Sequence, residues 1–424
     1  MSYNKIEVKE GINLHEIKTN NFKTNLYAIF LAIPLTRENA TKNALLTAVL
    51  RRGSLNFRSQ EDISRELEEM YGADFDCGIE KTGDNHILKF YISSISDEFI
   101  PADEDIDKKS IEILLDIVFN PLIENNGFKK DYVEGEKKNL RKIIEAKIDD
   151  KAQYSFDRCV EEMFKDEPYG LYKYGYIDDL DNITSEDLYN YYKELISSCK
   201  IDIFCSGTFE NMEQMVSENE NIKRLEARKP NYIINNEQTE RKESLNIDEN
   251  IVQESMQVTQ GKLVIGLDVD NDMKDSRYAV SVYNAILGGG ANSRLFQNVR
   301  EKESLAYTAG SSYIRQKNTI FIRCGIEIAN YNKALSTIKL QLQGLKDGNI
   351  TEDDINNAKK LIVSAVKSII AEQDTEITYY YGQELSDKFA TIEEYINKIN
   401  SVEKEQLIEI ANSVSINTIY FLKN

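Results

Sequence analysis

Histidine is nearly missing from this 424-residue chain, which has only His15 and His86. A hydrolase built on a transition metal draws heavily on imidazole, so the chain is poorly supplied for a metal site of its own. Tryptophan is absent and proline is rare, at five residues. With abundant Asn, Ile and Lys this reads as genome composition and carries no mechanism. The five cysteines, Cys77, Cys159, Cys199, Cys205 and Cys324, are scattered, odd in number and without a C-x-x-C pair, which argues against a disulfide framework. Positive charge is also in deficit. Lys and Arg total 52 against 72 Asp and Glu, for a net charge of −20. Nucleic acid and anionic membrane are therefore not expected as partners, since both need clustered cations to replace counterions. No apolar run reaches the roughly 20 residues that span a bilayer. The start, Met1-Ser2-Tyr3-Asn4-Lys5-Ile6-Glu7, lacks the basic and apolar regions of a signal peptide, so a cytoplasmic location is expected. There is no G-x-x-x-x-G-K-[ST] phosphate loop, and the one triple-glycine run lacks the strand spacing and acidic partner of a dinucleotide fold.

What is present is a long chain with 41% apolar residues, enough for two domains or more. Periodicity predicts strands over 10–18 and 23–35, helices over about 38–52 and 60–71, and a strand pair near 73–82 and 86–95. Long helices follow at about 107–119, 128–150 and 151–165. A helix begun by Ser185-Glu186-Asp187-Leu188 then precedes a strand at 201–205. The second half replays this order. A strand at 262–267 leads to a helix over 275–287, a glycine loop, a short helix, and strands near 305–315 and 318–328. Long helices at about 331–346, 352–372 and 374–389 come next, then a helix from Glu405 and a strand at 418–422. The repeat indicates a duplication, with Asp97 to Asp107 and Pro121 to Gly127 as extra loop in the first half. The polar, aperiodic stretch 221–247 reads as an exposed linker between a domain at 1–220 and a domain at 248–424. Strands with helices gathered on one face give an α+β class.

The densest local signal is Gly288 to Tyr307, GGGANSRLFQNVREKESLAY. Three successive glycines do not continue a helix cheaply, so Gly288 to Gly290 mark a place where backbone comes close to something else. Asn292 or Ser293 can cap a new helix with Leu295, Phe296 and Val299 on its apolar side and Arg300 near its C-terminal end. The chain then enters a strand carrying Tyr307. A guanidinium and a phenol brought together can both donate to one carbonyl or oxyanion. The plain structural reading of the same residues is a helix-capping Arg and a core-closing Tyr. The run Tyr379-Tyr380-Tyr381 could line a chamber, but such a run is more often amphipathic packing. Tyr169-Gly170 and Gly175 read as structural loop residues.

The run Gly289…Ser293-Arg294-Leu295-Phe296…Val299-Arg300-Glu301…Leu305-Ala306-Tyr307 resembles the C-terminal signature of the M16 zinc metallopeptidases. These include insulinase, pitrilysin and mitochondrial processing peptidase. In the first half, Gly53-Ser54, Arg58-Ser59-Gln60-Glu61-Asp62-Ile63 and Gly72-Ala73 match the blocks that follow the family's H-x-x-E-H zinc helix. The resemblance implies two homologous LuxS/MPP-like metallohydrolase-type domains, each an antiparallel-rich sheet with helices on one face, in a clamshell arrangement. It also places the zinc motif on Ala44-Leu45-Leu46-Thr47-Ala48. There the ligand positions hold Ala44 and Ala48, and the general base position holds Thr47. Zinc hydrolysis needs imidazoles at i and i+4 and a carboxylate at i+3, so the motif is degenerate. In the family's E-x6-E pattern, Glu136 takes the first place and Ile143 the ligand place, with Glu145 nearby.

Arg300 and Tyr307 match the family's Arg and Tyr that hold the scissile carbonyl as it becomes an oxyanion. Ser304 departs from the usual glycine before Leu-Ala-Tyr. The resemblance thus implies a chain with no metal of its own that supports a partner's site. The expected partner is an H-x-x-E-H subunit of similar size that brings the zinc in a heterodimer, and short unfolded peptides are the expected substrate class. The alternative is a peptide-binding or structural pseudoenzyme with no role in hydrolysis, and autonomous zinc proteolysis is a distant third reading.

Overall fold

The computed structural model of the chain describes residues 2–101, 104–234, 249–270, 275–386 and 388–424. The first half opens with strands β1 (Ser2–Lys9), β2 (Ile12–Lys18) and β3 (Thr24–Pro34), then helices α1 (Ala40–Leu50) and α2 (Gln60–Glu69). The hairpin β4 (Asp74–Thr82) and β5 (Asn85–Ile95) and helix α3 (Ile106–Phe119) follow. A short hairpin, β6 (Ile123–Glu124) and β7 (Gly127–Phe128), turns on Asn125 and Asn126 at φ 51° and 64°, the left-handed pair that matches strand twist. Next come α4 (Lys130–Glu145), α5 (Lys151–Met163), α6 (Ile177–Leu180), α7 (Ser185–Ser198), β8 (Lys200–Gly207), α8 (Met212–Glu218) and α9 (Glu220–Arg224). The start of α7 is fixed by Thr184, whose hydroxyl accepts from the Asp187 N–H while the Asp187 carboxylate accepts from the Thr184 N–H.

The second half runs β9 (Asn250–Ser255), β10 (Gly261–Val269), α10 (Ser276–Gly288), a π-helical segment (Phe296–Lys302), β11 (Ala306–Ile314) and β12 (Thr319–Ile326). It closes with α11 (Tyr331–Lys346), α12 (Glu352–Ser368), α13 (Gln373–Glu384), α14 (Ile392–Asn400), α15 (Lys404–Ser413) and β13 (Val414–Lys423). Periodicity did not indicate β1, β9, α6, α8, α9 or α14. These elements are short or, like β1, alternate too weakly to stand out from polar sequence.

One sheet has the order β1-β2-β8-β3-β5-β4 and the other β11-β12-β10-β13-β9. Read from the opposite edge, the second repeats the first, with β9, β13, β10, β12 and β11 in the places of β2, β8, β3, β5 and β4. The one parallel pair in each sheet also falls at the same place, β2 with β8 and β9 with β13, while every other pairing is antiparallel. The duplication read from the element order is thus present in the topology, and the fold is α+β. Strand β1 has no counterpart among the described residues.

The chain forms two compact units, neither of them a continuous stretch. The first is Met1–Ala146, Leu171–Ile233 and Ala371–Tyr381, and the second is Lys147–Gly170, Ile234–Ile370 and Gly382–Asn424. This differs from the expected division at 1–220 and 248–424, because each half lends one helical segment to the other's unit. The reason lies in the central strands. Leu26 to Ile33 is an unbroken buried run, so both faces of β3 need cover. Ile29 and Leu31 pack with Leu45, Leu114 and Leu188 from α1, α3 and α7. Phe30, which points the other way, stacks on Tyr381 with centroids 4.1 Å apart. Gln373 anchors that segment by donating to the carbonyls of Ser206 (2.8 Å) and Thr24 (3.1 Å). In the second unit, Val264, Phe321 and Tyr420 pack with Cys159, Val160 and Phe164 of the lent segment. Lys317, almost fully buried, pairs there with Glu167 at 2.5 Å.

The tyrosine run is therefore packing, with Tyr380 and Tyr381 buried. Tyr169-Gly170 is structural too, since a Cβ at Gly170 would lie 2.2 Å from the Phe164 carbonyl oxygen. The expected linker needs correction over its described part. Residues 220–224 are helical. Beyond them the backbone is bonded to the first unit, Arg228 N–H to the Glu10 carbonyl (3.0 Å) and Asn231 N–H to the Ser198 carbonyl (2.7 Å). The remaining linker positions, 235–247, lie outside the described residues.

Candidate functional site

Helix α1 is buried on nearly every side, its polar residues Thr41, Asn43 and Thr47 included. Ala44 and Thr47 are buried at 5% and 3% exposure, and Ala48 is half-buried. The Thr47 hydroxyl donates to the Asn43 carbonyl one turn back at 2.9 Å, so it is spent within its own helix. On α4 the inward residues are Val133, Glu136 and Leu140, while Ile143 is 45% exposed and Glu145, the last helical residue, is exposed. Glu136 is tied to Arg52 (3.0 Å) and Asn139 (3.2 Å). Two methyl groups, a committed hydroxyl and an alkyl side chain do not fit zinc, and no chemistry can be routed through a metal on this helix.

Neither histidine repairs the deficit. His86, fully buried on β5, takes the Asn43 amide on Nδ1 (3.0 Å) and donates from Nε2 to the Lys173 carbonyl (2.9 Å), the tautomer that this network requires. Tyr191 completes the chain by donating to Asn43 Oδ1 at 2.6 Å. Burial pushes the His86 pKa down to about 3, so the ring is neutral and structural. His15, fully buried on β2, lies between the Tyr3 hydroxyl (2.9 Å) and Asp202 (3.0 Å) and stacks on Phe204. Burial alone would raise the Asp202 carboxyl, but the Lys200 ammonium and His15 hold it well below the usual carboxylate range.

The second candidate group lies in the second unit. A Cβ at Gly288 would sit 2.4 Å from the Ser311 backbone nitrogen, so the end of α10 approaches β11 as only glycine allows. Ser311 also donates to Asn284 Oδ1 at 2.7 Å. After the glycines, the Ser293 hydroxyl accepts from the Phe296 N–H at 3.4 Å. Leu295 and Val299 of the expected apolar face are fully buried, while Phe296 is half-buried. The segment that follows is π-helical, not the regular helix expected, and π-turns of this kind often mark functional sites. Arg300 sits on it with its side chain 41% exposed, 4.5 Å over the Phe296 ring and 3.6 Å from Glu301. The chain reverses through Ser304 at φ 50°, in the left-handed region that favours glycine, where the resembled signature has glycine.

Tyr307 then falls on a bulge. Ala306 pairs with Ile326 and Thr308 with Gly325, which leaves Tyr307 out of the ladder and 60% exposed. Among the described residues no hydrogen bond joins Arg300 to Tyr307. Both are open to solvent and both stand on irregular backbone. Spacing in the sequence brought the two to attention but gave no sign of either the π-turn or the bulge.

A sequence model described as "Peptidase M16 inactive domain" matches residues 182–362. Along its whole length the chain is 33% identical to "Probable inactive metalloprotease YmfF" of Bacillus subtilis (strain 168), over 100% of this chain and 99% of that one. It is 29% identical to "Uncharacterized zinc protease YmxG" of the same organism, over 32% of this chain and 34% of that protein. Among solved structures, a conserved protein from Enterococcus faecalis V583 superposes with a TM-score of 0.90 at 26% identity, covering 100% of this chain and 99% of that one. A peptidase M16 inactive domain from Pseudomonas fluorescens gives 0.77 at 18% identity, over 100% and 98%, a likeness of fold alone.

Proposed function

Since the chain belongs to the peptidase M16 family, as a homologue of its inactive members, we propose that it lends Arg300 and Tyr307 to the zinc site of a separate H-x-x-E-H chain. In this heterodimer the partner holds the metal and its base, and this chain helps to bind an extended peptide and to support the oxyanion. The observation that carries the reading is Tyr307. A tyrosine serving only the core would be buried, yet this one is 60% exposed and turned out of the ladder by a bulge. Arg300, its side chain 41% exposed, lies beside the adjacent Glu301 and over the Phe296 ring. Both are donors that a developing negative charge could recruit.

The test is reconstitution with a zinc-bearing M16 chain and a quenched fluorescent peptide. Arg300→Ala and Tyr307→Phe are each expected to lower kcat by about 10²-fold, the scale of losing one oxyanion donor. Turnover equal to wild type in both variants would sink the proposal. A second reading is a peptide-binding or structural pseudoenzyme with no share in hydrolysis. It is favoured by the emptied helix at Ala44, Thr47 and Ala48 and by the word "inactive" in the name of the 33% identical relative. Under that reading the chain purifies without a zinc-bearing partner and its variants are silent.

A further inference from the structure

We infer that Thr308 is a positioning residue whose hydroxyl locks the bulge that presents Tyr307. This rests on the proposed role of Tyr307 and adds the means by which the strand holds it outward. A bulge places two residues opposite one and leaves part of the ladder without its regular partner. Here the gap falls at Gly325, whose N–H donates to Thr308 Oγ1 at 3.1 Å. The side chain thus supplies the acceptor that the interrupted ladder does not.

Gly325 is part of the same device. A Cβ there would lie 3.0 Å from Thr308 Oγ1 and 2.8 Å from Gln260 Oε1, so a larger residue would press on both side chains at the gap. On the other side of Tyr307, Leu305 and Ala306 are buried, and the Leu305 N–H donates to the Val299 carbonyl at 2.9 Å. Tyr307 is therefore pinned between a buried anchor and a hydroxyl lock. Thr308 is itself exposed, so core packing does not account for its contact. Without the lock the bulge can migrate by one residue. That slip puts Tyr307 into a regular pair, and because strand side chains alternate, it turns the phenol to the opposite face.

The experiment uses the full-length chain with Thr308→Val, which keeps the shape and removes the acceptor, and Thr308→Ser, which keeps the hydroxyl. In Thr308→Val the Gly325 amide should exchange with deuterium about ten-fold faster, the scale of one lost hydrogen bond, while Thr308→Ser exchanges as wild type. With a zinc-bearing M16 chain and a quenched fluorescent peptide, Thr308→Val should lower kcat by about ten-fold or more at unchanged KM, as expected for a misplaced group. Thr308→Ser should restore it. Tyr307→Phe is measured alongside. If Tyr307→Phe is silent, the proposed role of Tyr307 fails, and the proposed function as a whole fails if Arg300→Ala is silent too. If Tyr307→Phe slows turnover and Thr308→Val does not, the positioning role is overturned. Unchanged Gly325 exchange in Thr308→Val overturns the lock irrespective of any cleavage assay.

Discussion

Two buried ionisable residues in the first unit pull stability in opposite directions as pH falls. His86 is held neutral, with its pKa lowered by burial from the ordinary 6.5 to about 3. Its native contacts are fully present above pH 6.5 and erode as the pH drops toward 3, because the unfolded ring takes up a proton that the folded ring refuses. Asp107 is the reverse. Burial raises its carboxyl to about 6, although Tyr27 (2.7 Å) and Asn25 (2.8 Å) donate to it. Its contribution is fully present below the unfolded value near 4 and is lost as the pH rises through 6. In the wild type the two partly cancel between pH 6.5 and 4. Urea midpoints measured over that range should therefore rise on acidification in His86→Gln and fall more steeply than wild type in Asp107→Asn. Parallel curves for all three proteins would contradict this account. The same scale shows how little of a side chain's state is visible in the sequence. His86 could be set aside as a zinc ligand because it falls outside the motif, but its bonds to Asn43 and Lys173 are tertiary.

At the scale of elements, the boundaries that local chemistry dictates were readable. The start of α7 at Ser185, the glycine stop after α10 and the apolar side of the segment bearing Arg300 all follow from residue types at fixed spacing. The π-turn and the bulge were not readable, because one inserted residue only shifts the phase of the pattern, and β11, mostly half-buried, has too little alternation for a shift to show. The three glycines show both sides of this. Their presence indicated a close approach, while the strand approached, β11 at Ser311, is remote in sequence. Gly288→Ala should force the end of α10 away from β11 and cost about 1–3 kcal/mol of stability, as overpacking does. Chemical unfolding measures that cost, and a variant as stable as wild type would show that the strand can move aside freely. The same substitution should disturb β11 before it disturbs the first unit, which amide exchange along residues 306–314 would report.

For the molecule as a whole, the exchange of helical segments sets what can fold. Each unit takes one segment from the other half of the chain, 371–381 in the first and 147–170 in the second. A fragment ending at residue 233 would keep 147–170 without its sheet and leave Phe30 without Tyr381. It should expose apolar surface and bind a hydrophobic dye, whereas the intact chain should not. A soluble, dye-silent fragment that unfolds cooperatively would refute the dependence. The sequence alone determined the α+β class, the duplication, the M16 resemblance and the vacancy of the zinc positions, since those depend on residue identity, spacing and order along the chain. Only the tertiary structure decided that a continuous apolar strand is covered by a helix from the far half. It alone showed both histidines fully bonded, and Tyr307 standing outside its ladder. Such features arise from pairings that run from 12 positions, Tyr3 with His15, to the far half of the chain, Phe30 with Tyr381, and no local pattern encodes which distant atom will supply a missing contact.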